Sequence, residues 1–258
     1  MKLGFVGTGA LTAAIVTGLK SVADNSVSVL LSPRNEEIAA NLALRFEDVQ
    51  VASNNQAVLD GSDTVMLAVR PQVVHEVIPS LRFRADHHIV SLIATLSLEE
   101  IATLVAPAHK LTKALPMPMI ALRQGATIIC PPDKDIAALF GGLGKAIEVE
   151  SASEFDALSV VTATYASFFK YLDTVHVWLK AQGVDDTKGR DYIATLFKAL
   201  ANAPDASPAS GFMHLSQEYA TRGGINEQIL RELTDAGLFD TFTQSLGGVH
   251  KRIVASRT

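Results

Sequence analysis

An α/β chain, with a doubly wound sheet in its first half and an all-helical second half, is predicted by three features. Short runs rich in Val, Ile and Leu alternate with amphipathic helical stripes up to about Glu150. The first run passes at once into a glycine turn, and beyond Glu154 the strand signal stops. Composition permits this plan: 258 residues, 48% hydrophobic and 19% charged, suffice for one large domain or two modest ones. A formal net charge of −5 excludes a nucleic-acid scaffold, because little would neutralise a phosphate backbone; it reads as a solubility device. No apolar run reaches the roughly eighteen residues of a membrane span. Met1-Lys2-Leu3-Gly4-Phe5 leads directly into strand and turn, so a cytoplasmic chain without signal peptide is expected. The single cysteine, Cys130, has no basic neighbour in sequence and reads as packing.

The elements follow in order. Leu3–Val6 is the first strand, and Leu11, Ala14, Ile15, Gly18 and Leu19 form the first helical stripe. Val27–Leu31 is a second strand, followed by a stripe of Ala39, Leu42, Ala43 and Phe46. Thr64–Val69 and His88–Ile93 are further strands, separated by a helix carrying Val73, Val74, Val77, Ile78 and Leu81. Ser97 and Glu100 form a capping box for a helix with Ile101, Leu104 and Val105. Leu111–Leu115, Thr127–Cys130 and Ala146–Val149 are later, shorter strands. Strands apolar on both faces indicate a mostly parallel sheet covered on both sides.

In the second half, Leu158, Val161, Tyr165, Phe168, Leu172, Val175 and Leu179 recur at spacings of three and four. They predict one long helix capped near Gly183, with Val160, Phe169 and His176 widening its apolar face. Further helices are expected around Asp191–Leu200, Phe212–Tyr219, Ile225–Leu233 and Phe239–Val254, with Ala203–Gly211 as a turn-rich break. The domains are placed at 1–151 and 152–258. The histidines show no zinc-like spacing.

Gly7-Thr8-Gly9, between a strand and a helix, has the context of a dinucleotide fingerprint. The first glycine allows a tight turn, the second lets a pyrophosphate approach, and the helix N-terminus receives the anion. Thr12 stands where a third glycine would be, so the helix is expected off the sheet or shifted in register. The end of the second strand, Leu31-Ser32-Pro33-Arg34-Asn35, carries a hydroxyl and a guanidinium where an acidic residue would favour a free ribose. Arg34 and Ser32 suit a 2′-phosphate, so NADP(H) is the expected cofactor of this Rossmann domain. A solvated arginine and a helix-capping serine are the plain alternative.

These residues resemble the pyrroline-5-carboxylate reductase family: Gly4-Phe5-Val6-Gly7-Thr8-Gly9 with Ala14-Ile15 and Gly18-Leu19, then Ser32-Pro33-Arg34. The most specific stretch, Asp63-Thr64-Val65-Met66-Leu67-Ala68-Val69-Arg70-Pro71-Gln72, is similar to that family's ADVVxLAVKPQ. The resemblance implies an NADPH-dependent imine reductase of proline biosynthesis, converting 1-pyrroline-5-carboxylate to L-proline, whose C-terminal helices build a homodimer. It implies cofactor contacts from Gly7, Thr8, Gly9, Ala10 and Leu11, from Ser32, Arg34 and Asn55, and from Ala68, Val69, Pro71 and Ala94. The family's SPGGTT, which holds the substrate carboxylate, reads Thr221-Arg222-Gly223-Gly224-Ile225-Asn226. Gly223, Gly224 and Asn226 are the implied substrate contacts. The chain departs elsewhere too: RxMPNTP becomes Lys113-Ala114-Leu115-Pro116-Met117-Pro118-Met119, Ile93-Ala94-Thr95 replaces an alanine-alanine-glycine turn, and SGSGPAY becomes Thr162–Phe168.

No Ser-His-Asp set, paired acidic motif or metal cluster is legible, and no general acid is assigned. Reduction of a readily protonated imine asks mainly for placement. Two other readings stand beside this one. Lys170 on the long helix sits where β-hydroxyacid dehydrogenases use a lysine, although Tyr171 follows it instead of an asparagine; it also suits a solvated face. A non-catalytic NADP(H)-binding protein would keep the cofactor half and drift in the substrate half. Tyr165, Phe168 and Phe169 read as core. His214, Gln217 and Glu218 face either the glycine pair or solvent. The apolar seam is covered either by a second chain or within one.

Overall fold

The computed structural model describes residues 1–22, 27–206 and 211–255. Eight strands form one sheet: β1 (Lys2–Val6), β2 (Ser28–Leu31), β3 (Val49–Val51), β4 (Thr64–Leu67), β5 (His88–Ser91), β6 (Lys110–Leu115), β7 (Ala126–Cys130) and β8 (Lys145–Glu148). Their order is β3-β2-β1-β4-β5-β6-β7-β8, parallel throughout except that β7 runs antiparallel to β6. The helices between them are α1 (Ala10–Lys20), α2 (Glu36–Arg45), α3 (Asn55–Asp60), α4 (Val74–Val77), α5 (Leu98–Leu104) and α6 (Lys134–Gly141). After β8 come α7 (Ala152–Val161), α8 (Tyr165–Ala181), α9 (Asp186–Ala201), α10 (Ala203–Ala206), α11 (Phe212–Tyr219), α12 (Ile225–Asp235) and α13 (Leu238–Ala255).

The strand period of two sorts side chains to opposite faces, and each face has its own core. Leu3, Phe5, Val29, Leu31, Met66 and Val90 pack with Ile15, Val16 and Phe140 on one side. Val6, Val65, Leu67 and Ile89 pack with Val58, Leu59, Val74 and Ile101 on the other. Burying each such side chain contributes about 1.5–3 kcal/mol, so the doubly covered sheet is the stable part of the chain.

Several expectations are refined. The stripe from Val73 to Leu81 gives only α4, flanked by 3-10 turns at Pro71–Val73 and Ile78–Ser80, because Pro79 lacks an N–H for a helical bond. The strands β3 and helices α3 and α6 lie where the sequence pattern was silent. The single long helix is in fact two: the 3-10 turn Thr162–Thr164 separates α7 from α8. The hydrophobic spacing runs on through that turn, which is why periodicity does not mark it. Gly183, at φ +85° just past α8, is the expected terminator. Of the turn-rich break, Ala203–Ala206 is helical and 207–210 lie outside the described residues.

Thr12, in the place of a third glycine, is accommodated under α1. It is fully buried, and its Oγ1 donates to the Gly7 carbonyl at 2.7 Å. The close approach falls instead at Gly18, where a Cβ would fall on the Ile120 carbonyl of the turn Pro118–Leu122.

Two compact units result. One holds Met1–Ser159, joined by the last residues from Arg252, and the other is Val160–Lys251. Within the second, α8 packs on α9: Tyr171 meets Phe197 edge-on at 5.6 Å, and the His176 ring rests against Gly189. Phe168, Phe169, Val177 and Trp178 remain exposed. Among the described residues, no helix is long and apolar enough to cross a membrane.

Two buried histidines make the first unit pH-sensitive. His87 accepts the Arg84 N–H on Nδ1 at 3.1 Å, so its Nε2–H donates to the Leu59 carbonyl, also at 3.1 Å. His88 meets Thr112 Oγ1 at 3.1 Å. Burial, above all, holds both imidazoles below the ordinary histidine range; the Arg84 charge adds to this at His87. The unfolded chain therefore takes up protons first as pH falls below about 6.5, and stability present above that value is lost towards the folded-state values. The urea midpoint is expected to be lower at about pH 5.5 than at about pH 7.5, with His88→Gln shrinking the difference. Equal midpoints at the two pH values would contradict this.

Candidate cofactor site

The strand order reverses between β1 and β4, and at such a switch point the carboxyl ends of parallel strands open a crevice. Val6 runs there into Gly7, and Leu67 into Ala68. Gly7 has φ +106°, and a Cβ on it would lie 2.6 Å from the Ala68 carbonyl oxygen. Only glycine satisfies both conditions. Gly9 is the N-cap of α1, and a Cβ there would meet nothing within 4 Å. It offers no side-chain cap, the first turn of α1 has no acidic residue, and the first backbone bond is Ala13 N–H to Gly9 O. The open space, the uncompensated dipole and the amides ahead of Ala13 fit a pyrophosphate.

Ser32 is buried behind this turn. Its Oγ accepts the Gly7 N–H at 2.9 Å and lies 3.0 Å from Thr8 Oγ1, which donates to the Ser32 carbonyl at 2.7 Å. The serine thus ties the end of β2 to the glycine turn, and Arg34 is left as the exposed cation beyond it.

A cleft of about 540 Å³ brings together Gly7, Thr8, Gly9, Arg34, Ala68 and Val69. Asn35, Glu36, Arg70 and Val73 complete its walls. Such a volume is in the range of small-molecule sites. Ala10 and Leu11 lie in the first turn of α1, Asn55 opens α3, Pro71 begins a 3-10 turn and Ala94 follows β5; these stand outside the lining, as does Ser32. Arg70 was not anticipated. Its signal was available: a cation just past β4, matching Arg34 just past β2.

In the helical unit, Gly223 has φ +75° and Gly224 is the N-cap of α12. The Gly223 N–H donates to Glu227 Oε2 at 2.6 Å, and Asn226 Nδ2 to the Tyr219 carbonyl at 3.3 Å. Lys170 is exposed and joined to Asp173 at 2.7 Å, and His214 lies 3.3 Å from Glu218. Cys130 does have a basic neighbour in space, since Lys113 is its partner across β6 and β7. Burial nevertheless pushes the thiol up, against the opposing pull of Lys113. Among the described residues no group of three or more side chains could hold a metal ion.

The glycine turn, the open α1 N-terminus and Arg34 fit a dinucleotide cofactor, and the family that this part of the chain matches is one of NADP-dependent oxidoreductases. Residues 2–95 match the family described as NADP oxidoreductase coenzyme F420-dependent. Over nearly its whole length the chain is similar, at low identity, to pyrroline-5-carboxylate reductases. It is 22% identical to that of Haemophilus influenzae over 88% of this chain and 87% of that protein. The 1-pyrroline-5-carboxylate reductase structure from Streptococcus pyogenes superposes with a TM-score of 0.83 at 22% identity, covering 98% of each chain. The Plasmodium falciparum pyrroline carboxylate reductase with NADP bound gives 0.82 at 15% identity, covering 100% of this chain and 98% of that one.

Removing the Arg34 guanidinium should weaken NADPH binding about 10- to 100-fold while changing NADH binding less than about twofold, the loss of one charge-assisted contact to the 2′-phosphate. Fluorescence titration of Arg34→Ala with both cofactors checks this. Equal losses for both would place the 2′-phosphate elsewhere.

Proposed function

We propose that this protein reduces a cyclic imine with NADPH, and that 1-pyrroline-5-carboxylate, giving L-proline, is the first member of that class to assay. The observation that carries the reading is the NADP cleft within a chain that resembles pyrroline-5-carboxylate reductases nearly end to end. NADPH, when bound, supplies the hydride. The α1 N-terminus and the Gly7–Gly9 amides hold the pyrophosphate, Arg34 holds the 2′-phosphate, and Ala68 with Val69 give the cofactor an apolar wall. Gly223, Gly224 and Asn226 supply the contacts to the substrate carboxylate. An imine nitrogen is basic enough to arrive protonated, so orientation and electrostatic matching are the protein's main work. Lys170 is exposed and paired with Asp173, which gives the dehydrogenase reading no support.

The active species in this proposal is a homodimer assembled through the C-terminal helices. Phe168, Phe169, Tyr171, Trp178, Phe239 and Phe242 are all exposed in the single chain, an apolar extent that monomers seldom present. Light scattering is expected to give twice the 27.5 kDa chain mass; a monodisperse monomer would remove the assembly from the proposal.

Oxidation of NADPH by the purified protein, run with 1-pyrroline-5-carboxylate and with uncharged cyclic imines, is the direct test. Turnover preferring NADPH over NADH is expected. Tight NADPH binding without turnover of any imine would leave the cofactor site standing and reject the reaction.

A further inference from the structure

Lys113, on β6, is a buried cation that the cofactor cleft does not use. Its residue is only 3% exposed, and an ammonium in such a place is costly unless its donors are satisfied. The Nζ donates to the Leu96 carbonyl at 2.5 Å and to the Ala94 carbonyl at 3.3 Å. It also stands 4.8 Å from the centre of the Phe155 ring, whose face favours a cation. Both carbonyls belong to the loop between β5 and α5, at the carboxyl edge of the sheet. Ser91, the last residue of β5, is in register with Lys113 on β6, so the lysine reaches the loop from the neighbouring strand.

The direction of the dinucleotide gives this loop its meaning. Arg34 lies past β2, on one side of the glycine turn, and β5 lies beyond β4 on the other. A dinucleotide with its 2′-phosphate at Arg34 and its pyrophosphate at Gly7–Gly9 sends its other half across β4 towards β5. The loop waiting there has exposed Ala94 and Thr95, and a single cation gathers two of its carbonyls from beneath. Charge-assisted bonds are stronger than neutral ones and hold such a loop in one conformation.

We propose that Lys113 is a positioning residue that sets the Ala94–Leu96 loop for the nicotinamide half of NADP(H). The proposal rests on the reading of the cleft as the NADP site, and it concerns binding, so its test does not depend on which imine is reduced.

Lys113→Met keeps the aliphatic stem and removes the cation, and Lys113→Arg keeps a cation. Affinities for NADP⁺ and for 2′,5′-ADP, which carries the adenine half alone, are measured on each full-length variant. Lys113→Met is expected to bind 2′,5′-ADP within about twofold of the parent and NADP⁺ about 10-fold more weakly, with Lys113→Arg recovering part of the loss. Unchanged NADP⁺ binding, or equal loss of both ligands, would overturn the assignment. Hydrogen exchange on the unaltered chain covers the case in which Lys113→Met does not fold. Amides 94–97 should be protected by NADP⁺ and not by 2′,5′-ADP, and equal or absent protection overturns the proposal as well. Failure of the unaltered chain to bind NADP⁺ at all would instead reject the cofactor reading, and this role with it.

Discussion

Two backbone segments meet at the carboxyl ends of β1 and β4 with no room for a side chain between them. Gly7 turns there through φ +106°, against the Ala68 carbonyl, and much of the cofactor half depends on that contact. It lets β1 end and α1 begin within a few residues, which aims the α1 amides at the crevice. Three hydroxyls then fasten the turn. Ser32 takes the Gly7 N–H, Thr8 donates to the Ser32 carbonyl, and Thr12 donates to the Gly7 carbonyl. Each satisfies a polar group that burial would otherwise leave costly, about 1–3 kcal/mol apiece. The turn is thus stiff before any ligand arrives, which lowers the ordering cost of binding.

How much of this was readable from residue order depends on the range of each interaction. The Gly7–Gly9 turn, the Ser97–Glu100 capping box and the alternating apolar strands are local patterns, and all three stand in the fold. The capping box is reciprocal, as its spacing demands. What required the fold was the direction of side chains and the identity of neighbours across strands. Ser32 is placed by sequence at the end of β2, but only the folded turn reveals that its hydroxyl faces Gly7. Cys130 has no basic neighbour along the chain, yet antiparallel pairing brings Lys113 opposite it. The turn at Thr162–Thr164 escaped because a 3-10 segment advances the chain nearly as a helix does and leaves the apolar spacing intact.

The two units differ in how their apolar residues are used. In the first, Phe5, Ile15, Leu31, Met66 and Phe140 are enclosed on both sides of the sheet by the chain itself. In the second, no residue of α8, α11, α12 or α13 is buried, although these helices carry Phe, Trp, Tyr and Ile in quantity. A helical stripe left so largely exposed has little to hold its side chains in single rotamers. The sheet unit therefore carries most of the stability of the isolated chain.

At the start of α12 the chain brings its own counter-ion. Glu227 already occupies the Gly223 amide, so any anion that docks on that amide must first displace it. Docking there is then ion exchange and not neutralisation: one carboxylate leaves the amide as another arrives, and the displaced charge has to be solvated or met by a cation. Arg222, exposed in the same loop, is the nearest such cation in sequence. Selection among anions docking on that amide would then rest on the difference between two similar hydrogen bonds, a smaller quantity than the strength of either one.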